Sequence, residues 1–347
     1  MTKATAIFFA PRRFFIQRSA ARAAAAWPAI AFGYCVAILA WSSSAGPDSA
    51  PAAAAQPPVV QAPVGPSVQP AGEAWIGKRI IPAHRDVQLH SGTAVVGPIA
   101  EVVVRVEDAR DNQLLVRSLG RAGWIAVAEA VPLEEAVAYF TAKIKQNPAD
   151  SDAYQRRGSA WFTLEQYDPS LADYTEAIRL DPRSPALYNA RAIAWCRKRE
   201  YAKALADYAI AGKLEPGNAL VRYNEGNVWS RTGNYARALA SYDEAIRLDP
   251  KLGWAYDARA MLLASCQDPR LRNGGEAVRS AQTACELDGW KESPQLETLA
   301  AAYAESGDFA LAVRWQTRAM EMMPPEAKSD SASRVQLYRA GQPYRLR

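Results

Sequence analysis

The side chains that most often do chemistry in proteins are sparse in this 347-residue sequence and follow no catalytic spacing. There are two histidines, His84 and His90, and four cysteines, at positions 35, 196, 266 and 285, with no CxxC pair or zinc-ligand spacing. No phosphate-binding glycine loop occurs either. The inventory therefore argues against histidine-based catalysis and zinc binding. We expect no catalytic residue, no metal site and no cofactor, and hence a non-enzymatic protein.

The net charge of +5 suggests nucleic acid binding at first, but its location argues against it. Five of the 41 basic side chains precede the first acidic residue, Asp48; they are Lys3, Arg12, Arg13, Arg18 and Arg22. Without residues 1–45, basic and acidic side chains balance at 36 each. We therefore expect no nucleic acid partner.

Residues 1–45 have the composition of an export signal. A basic region precedes an uncharged stretch of 19 residues at 23–41, followed by small residues. This stretch is also long enough to span a bilayer, so a cleaved signal peptide and a signal anchor both remain open. Arg12 and Arg13 start a twin-arginine-like motif, with an ordinary basic region as the alternative. Residues 46–72 form a Pro/Ala-rich linker. We expect an exported protein, membrane-anchored or periplasmic.

Residues 151–252 consist of three abutting copies of a 34-residue unit. Position 8 of each copy is small (Gly158, Ala192, Gly226), and so are positions 20 and 27. Positions 4, 11 and 24 are mostly large aromatic residues, and a proline lies near the end of each copy, at Pro182, Pro216 and Pro250. Small and large side chains at helical spacing predict two closely packed antiparallel helices per copy, each pair ended by the proline.

These residues closely resemble the tetratricopeptide repeat family. The resemblance extends over residues 132–324, as a half repeat at 133–148 and repeats at 151–184, 185–218, 219–252, 253–290 and 293–324. The fourth repeat has a turn lengthened by five residues, and 325–347 would form a C-terminal capping helix and tail. The implied fold class is mainly α, a right-handed solenoid, preceded here by a small all-β module.

In this family the first helices of the repeats line a concave groove. Carried onto this sequence, positions 2, 5, 9, 12 and 13 of each repeat predict a groove that includes Gln155, Ser159, Phe162, Asn189, Ile193, Arg197, Tyr223, Asn227, Arg231, Trp254 and Asp257. This mixed polar and aromatic surface suits an extended peptide or a helix from a protein partner. The lysine with which some family members hold chaperone tails is missing, so a chaperone tail is not the expected ligand.

Residues 73–131 contain short runs of Val, Ile and Leu separated by turn residues such as Asp111 and Asn112, which predicts about five strands, one over 99–106. The segment ending in QLLVRSLGRAGWIAV resembles a bacterial Src-homology-three-like barrel. Such modules bind cell-wall peptide or protein segments, but only Trp75 and Trp124 could form an aromatic groove here. Two functions remain open: a module that caps or spaces the repeats, and one that binds peptidoglycan while the repeats recruit a protein.

Two local features give further hypotheses. Arg157 and Arg191 at position 7 are matched by Asp173 and Asp207 at position 23, which predicts an ion pair within each repeat, with two separately solvated charges as the alternative. Cys266 and Cys285 lie in one repeat, where a disulfide or two unpaired thiols are possible.

Overall fold

The computed structural model describes residues 72–99, 102–118 and 121–346, and all structural statements below refer to these residues. The predicted signal segment at 1–45 and all but the last residue of the linker lie outside this part of the chain. No helix in the described ranges is long and apolar enough to cross a bilayer. The predicted membrane-spanning stretch, 23–41, was not among the residues to which that finding applies.

The described chain opens with a β module, defined here as residues 72–132. It contains seven short strands: β1 Arg79–Pro82, β2 Gln88–Ser91, β3 Ala94–Pro98, β4 Val104–Arg110, β5 Gln113–Ser118, β6 Arg121–Ala126 and β7 Ala130–Pro132. They form an antiparallel sheet in the order β3-β2-β6-β5-β4-β1-β7. Its core includes Trp75, Ile80, Leu89, Leu114 and Ile125. The all-β character is as expected, while the Src-homology-three-like identity stays a prediction.

The strands differ from expectation in number and position. Strands β1 and β7 have only four and three residues, too few for an alternating pattern to stand out in the sequence. The strand expected over 99–106 starts at Val104 and continues to Arg110, with a register shift between Val106 and Asp108. The turn at Asp111 and Asn112 is where the sequence predicts it. Both residues have positive φ, 46° and 63°, as a two-residue hairpin between β4 and β5 requires.

Twelve α-helices occupy the rest of the described chain. They are α1 Leu133–Gln146, α2 Ser151–Thr163, α3 Tyr167–Leu180, α4 Pro185–Arg197, α5 Tyr201–Leu214, α6 Ala219–Arg231, α7 Tyr235–Leu248, α8 Gly253–Ser265, α9 Gly274–Asp288, α10 Ser293–Glu305, α11 Phe309–Glu321 and α12 Lys328–Arg339. Each of the five predicted repeats contains two of them. The capping helix expected within 325–347 extends from Lys328 to Arg339.

Each hairpin packs as the small and large positions predict. Tyr174, Tyr208 and Tyr242, all at position 24, are at most 2% exposed. A Cβ added to Gly226 would lie 2.6 Å from Cε1 of Tyr242, so only glycine allows this approach of α6 to α7. Side chains at several helix starts accept a backbone N–H; they are Asp150, Asn218, Asn234, Asn273 and Asp308.

The β module and the first helices share one apolar cluster. It joins Ile81 and Val131 of the module with Phe140 of α1 and Ala153 of α2. Across the same junction, Arg156 on α2 donates through Nη1 to the Pro82 carbonyl at 2.8 Å, and its side chain is buried. The module therefore covers the apolar face that the half repeat α1 and the helix α2 would otherwise expose.

Candidate functional site

The predicted groove residues divide into a buried and a partly exposed group. The buried ones, at 9% exposure or less, are Gln155, Ser159, Phe162, Asn189, Ile193 and Tyr223. The partly exposed ones are Arg197, Asn227, Arg231, Trp254 and Asp257. Ser159 is fully buried and hydrogen-bonded to the Gln155 carbonyl and to the Tyr174 hydroxyl, each at 3.0 Å. The partly exposed group is therefore the surface a ligand can reach first; we call these five residues the inner-face set.

Asparagines tie neighbouring inner helices together. Asn224 on α6 donates through Nδ2 to Oδ1 of Asn189 on α4 at 3.1 Å, and both side chains are buried. Within the third repeat, the Tyr242 hydroxyl donates to Oδ1 of Asn227 at 2.9 Å. That contact orients the Asn227 amide and leaves its buried Nδ2 without a hydrogen-bond partner among the described residues. A buried donor left unpaired costs free energy, about 1–3 kcal/mol, which a ligand acceptor would recover.

Asp257 presents the opposite chemistry in the next repeat. Its Oδ1 is buried and has no hydrogen-bond partner in the described part of the chain. Burial raises the pKa of Asp257 from an ordinary value near 3.8 to about 7. A hydrogen bond from Thr298 opposes this, whereas the nearby carboxylates of Glu297 and Asp288 add to it. A bound cation or amide donor would stabilise the charged form of Asp257.

An aromatic and basic cluster lies in the first two repeats. The Arg197 guanidinium is 5.6 Å from the ring centroid of Phe162, which in turn packs edge-on against Tyr167 at 5.7 Å. Arg197 occupies position 13 of its repeat, and Arg231 occupies the same position in the next. The C-terminal ends of α4 and α6, the first helices of repeats 2 and 3, are therefore basic on this face.

Two groove-register residues of the fifth repeat were not predicted: Glu297 at position 5 and Glu305 at position 13. Glu297 is 3% exposed and accepts from Gln316 Nε2 at 2.7 Å and from the Ser331 hydroxyl on α12. Arg334 lies 3.6 Å from its Oε2. Glu305 is contacted by two arginines: it accepts from Arg272 Nε at 3.0 Å, and Arg345 Nη1 lies 2.6 Å from its Oε2. Continuing the positional register into repeat 5 would have identified both.

The predicted ion pairs within repeats are present. Arg157 donates to both carboxylate oxygens of Asp173 at 2.7 and 2.9 Å, and Arg191 does the same with Asp207 at 2.8 and 2.9 Å. These hydrogen bonds raise the pKa of each arginine above its ordinary value. The two-point geometry, with buried aspartates, links the two helices of each repeat.

The described cysteines are buried, and so is one of the two tryptophans of the β module. Cys196, Cys266 and Cys285 are buried and form no disulfide among the described residues, which is the unpaired alternative for the last two. Burial raises the pKa of the Cys285 thiol to about 12. In the β module, Trp75 is 1% exposed, while Trp124 lies beneath Arg110, whose guanidinium is 5.8 Å from the ring. No group of three potential metal ligands occurs among the residues described.

The architecture defines a class of protein: an α-solenoid of helical hairpins stacked on an N-terminal β module. Tetratricopeptide repeat models match residues 133–185, 162–219 and 219–252. Residues 133–252 are therefore tetratricopeptide repeats, and the hairpins to residue 321 continue the same pattern of two helices per repeat. The tetratricopeptide fold is typically a non-enzymatic scaffold for protein–protein interaction.

Solved structures with a TM-score of 0.50 share this fold at low sequence identity. A tetratricopeptide repeat protein from Parabacteroides merdae has a TM-score of 0.50 at 19% identity, covering 60% of this chain and 81% of that one. The Cut9–Hcn1 hetero-tetramer of APC/C has a TM-score of 0.50 at 13% identity, covering 60% and 40%. Yeast Tom70 has a TM-score of 0.48 at 20% identity, covering 59% of this chain and 43% of Tom70, so the chain spans less than half of that protein. No curated protein sequence matches the chain.

Proposed function

We propose that this protein is a non-enzymatic scaffold that binds an extended peptide or a helix of a partner protein along the inner face of its repeats. The observation that carries the proposal is a pair of buried, unpartnered polar atoms in consecutive repeats: the Nδ2 donor of Asn227 and the Oδ1 acceptor of Asp257. A peptide main chain offers both a carbonyl acceptor and an N–H donor in each residue. Such a segment can therefore satisfy both atoms at once.

The rest of the inner-face set adds selectivity to this main-chain recognition. Arg197 and Arg231 supply positive charge at position 13 of repeats 2 and 3, whereas Asp257 favours a donor or a cation in repeat 4. A bound segment would therefore carry acidic or carbonyl groups toward repeats 2 and 3 and a basic or amide group toward repeat 4. Because one end of the surface prefers acidic groups and the other prefers basic or amide groups, the surface defines the direction in which a peptide binds.

We propose a capping role for the β module. Its shared cluster with α1 and α2 and the buried bond from Arg156 to the Pro82 carbonyl support this role. Of the two tryptophans that could form an aromatic groove, Trp75 is in the core of the module. Peptidoglycan binding remains the alternative. Retention of the full chain on purified cell-wall sacculi would favour it, and loss of the chain in the first wash would favour the cap.

We propose further that residues 1–45 direct export and leave the repeats outside the cytoplasm, on the basis of the basic and apolar segments alone. Sequencing the N-terminus of the protein purified from cells separates the two forms. A start near residue 45 indicates a cleaved signal, and an intact N-terminus in the membrane fraction indicates an anchor. Recovery of an uncleaved chain in the cytosol would contradict the proposal.

The binding surface can be tested by photo-crosslinking in the full chain. Benzoylphenylalanine at Arg231, on the inner face, should give a discrete adduct with the partner. The same group at Arg247, exposed on the outer helix α7, is the matched control and should give none. Replacing Asn227 with Ala should lower the adduct yield about fivefold or more, because one hydrogen bond to the partner is lost. Equal adducts from both positions, or a yield unaffected by Asn227→Ala, would refute the inner-face site.

A further inference from the structure

The chain reverses direction after α12 and returns to the inner face of the last two repeats. Gly341, with φ of +68°, forms the turn, and Gln342 N–H donates to the Leu337 carbonyl at 2.9 Å. Residues 342–346, defined here as the C-terminal segment, then pass over the fifth repeat and reach the end of α8 in the fourth. The segment contains neither helix nor strand. It therefore lies on the repeats in the manner of a bound peptide.

The last described residue, Leu346, is held by both its main-chain polar groups. Its N–H donates to the Ser265 carbonyl at 2.8 Å, and its carbonyl accepts from Gln267 Nε2 at 3.3 Å. The Leu346 side chain is 8% exposed. Main-chain pairing combined with a buried aliphatic side chain is a general way in which proteins recognise peptides.

Arg345 makes the charged contacts of the segment. Its Nη1 donates to the Ala264 carbonyl at 3.1 Å and lies 2.6 Å from Oε2 of Glu305. The other oxygen of Glu305 accepts from Arg272 Nε at 3.0 Å, and Arg272 also donates to the Cys266 carbonyl at 3.0 Å. Arg272 would thus hold Glu305 in place whether or not Arg345 is bound, so the acceptor site for an arginine is built into repeats 4 and 5.

The end of α8 explains why this site accepts an arginine. The last carbonyls of a helix lack intrahelical partners and carry partial negative charge. Those of Ala264 and Ser265 meet the C-terminal segment, next to the Glu305 carboxylate. A guanidinium can donate to a carbonyl and a carboxylate together, which an ammonium does with less defined geometry. Ala264, Ser265 and Glu305 occupy positions 12 and 13 of their repeats, the register assigned to the concave groove.

The aromatic ring of the segment completes the contact. Tyr344 is partly buried in a cluster with Phe309 and Leu337, beneath the Arg334 guanidinium at 4.3 Å from its ring. Three successive residues therefore contact the repeats: the ring of Tyr344, the guanidinium of Arg345 and the buried side chain of Leu346.

We infer that repeats 4 and 5 form a binding site for an extended peptide with an arginine followed by an aliphatic residue, and that the C-terminal segment of this chain occupies it until a partner with the same chemistry displaces it. The inference deepens the proposed function and rests on it, since it assigns one part of the same inner face a ligand chemistry. A short tether gives the segment an effective concentration in the millimolar range. A partner must therefore bind more tightly than the segment or present several contacts at once.

The test uses the full chain and a synthetic probe, a fluorescent peptide with the sequence of residues 341–347. The receptor is the full-length double variant Arg345→Ala, Leu346→Ala, whose own segment no longer competes. Fluorescence polarisation should detect binding of the probe to this variant. Binding to the native chain should be weaker by about tenfold or more, because its own segment competes at millimolar effective concentration. Circular dichroism confirms that both chains have the same helix content.

Peptide variants separate specific from nonspecific binding without altering the folded chain. A probe with Arg345→Ala should bind about tenfold more weakly, because the charge-assisted contact with Glu305 is lost. A probe with Gln342→Ala is the matched control, since the Gln342 side chain is exposed, and should bind like the parent. Hydrogen exchange provides the measurement in cis: the backbone amide of residue 346 should be protected in the native chain and unprotected in the double variant.

Several outcomes would overturn the inference. They are equal binding of the probe to both chains, indifference to Arg345→Ala, no binding to the double variant at millimolar probe, and an unprotected Leu346 amide in the native chain. The photo-crosslinking at Arg231 reports on repeats 2 to 4 and does not involve this probe. Loss of the Arg231 adduct with retained probe binding would thus reject the proposed partner surface alone, and the reverse result would reject the C-terminal site alone.

Discussion

Gly274 gives the sharpest test of how the last two repeats pack. It opens α9, and a Cβ added to it would lie 2.5 Å from the Ser306 nitrogen, 2.6 Å from Ser306 Cα and 2.8 Å from the carbonyl carbon of Glu305. Gly275, the next residue, is different, since the nearest atom to its added Cβ is Oδ1 of Asn273 at 3.6 Å. Substituting each glycine with alanine therefore compares a closed and an open site one residue apart.

The expected cost follows from the atoms that the new methyl group meets. Carbon atoms pack best at about 3.5–4.0 Å, so at Gly274 the two backbones must separate by about 1 Å. The atoms in the way belong to the main chain at the end of α10 and cannot rotate aside. Overpacking of this kind typically costs about 1–3 kcal/mol, and we expect Gly274→Ala near the upper end. Gly275→Ala should be neutral or stabilise by up to about 1 kcal/mol, because alanine loses less backbone entropy on folding.

The assay is thermal unfolding of the full chain by far-ultraviolet circular dichroism. Gly274→Ala should lower the melting temperature of the C-terminal repeats by roughly 4–12 °C, whereas Gly275→Ala should change it by about 4 °C or less. Because repeat proteins can unfold in parts, hydrogen exchange in α9 to α11 should show the loss first. If the two variants melt together, the close approach of Gly274 to Ser306 does not exist and the argument fails.

Two further perturbations test the charged groups inside the repeats. Arg191→Met leaves the buried Asp207 without its two-point partner and should cost roughly 2–3 kcal/mol in urea unfolding, with much of the loss recovered by adding Asp207→Asn. The exposed Arg179→Met should cost clearly less, because its ion pair with Glu176 is screened by solvent, and equal costs for both arginines would contradict a buried pair. Asp257→Asn tests pH dependence: a folded-state pKa near 7, above the ordinary 3.8, means that the native chain loses stability as the pH rises from about 4 to about 7. The variant should lack this loss, roughly 2–4 kcal/mol in urea titrations at pH 5 and 8, and parallel pH profiles would refute the burial of Asp257.

The helical hairpins could be predicted from the sequence because their determinants are local and repeated three times. Each copy places a small residue where a neighbouring tyrosine packs, so Gly226 and Tyr242 are identified by their positions alone. The ion pairs follow for the same reason, since Arg191 and Asp207 recur at the same separation as Arg157 and Asp173. The turn at Asp111 and Asn112 was equally readable, because these residue types tolerate positive φ.

The inner face was harder to predict, because helical periodicity cannot separate its two kinds of position. Some side chains on that face contact the next helix, as Asn189 does through Asn224, and others are partly exposed, as Arg231 is. Which kind a position becomes depends on the distance and angle between neighbouring inner helices. The sequence therefore predicted the register of the surface, and the stacking of the helices decided that six of its members are buried.

The sequence by itself determined the period, the helix pairs, the neutral charge of the chain beyond residue 45 and the pairing of charges within repeats, because each depends on residues close together in the chain. The tertiary structure alone decided the rest. It brings Gly274 against Ser306, inserts Arg156 under the β module, and lays Arg345 between the end of α8 and Glu305. These contacts join residues that are 32 to 81 positions apart in the sequence, and such separations carry no periodic signal. They exist only because stacked repeats bring distant helix ends together.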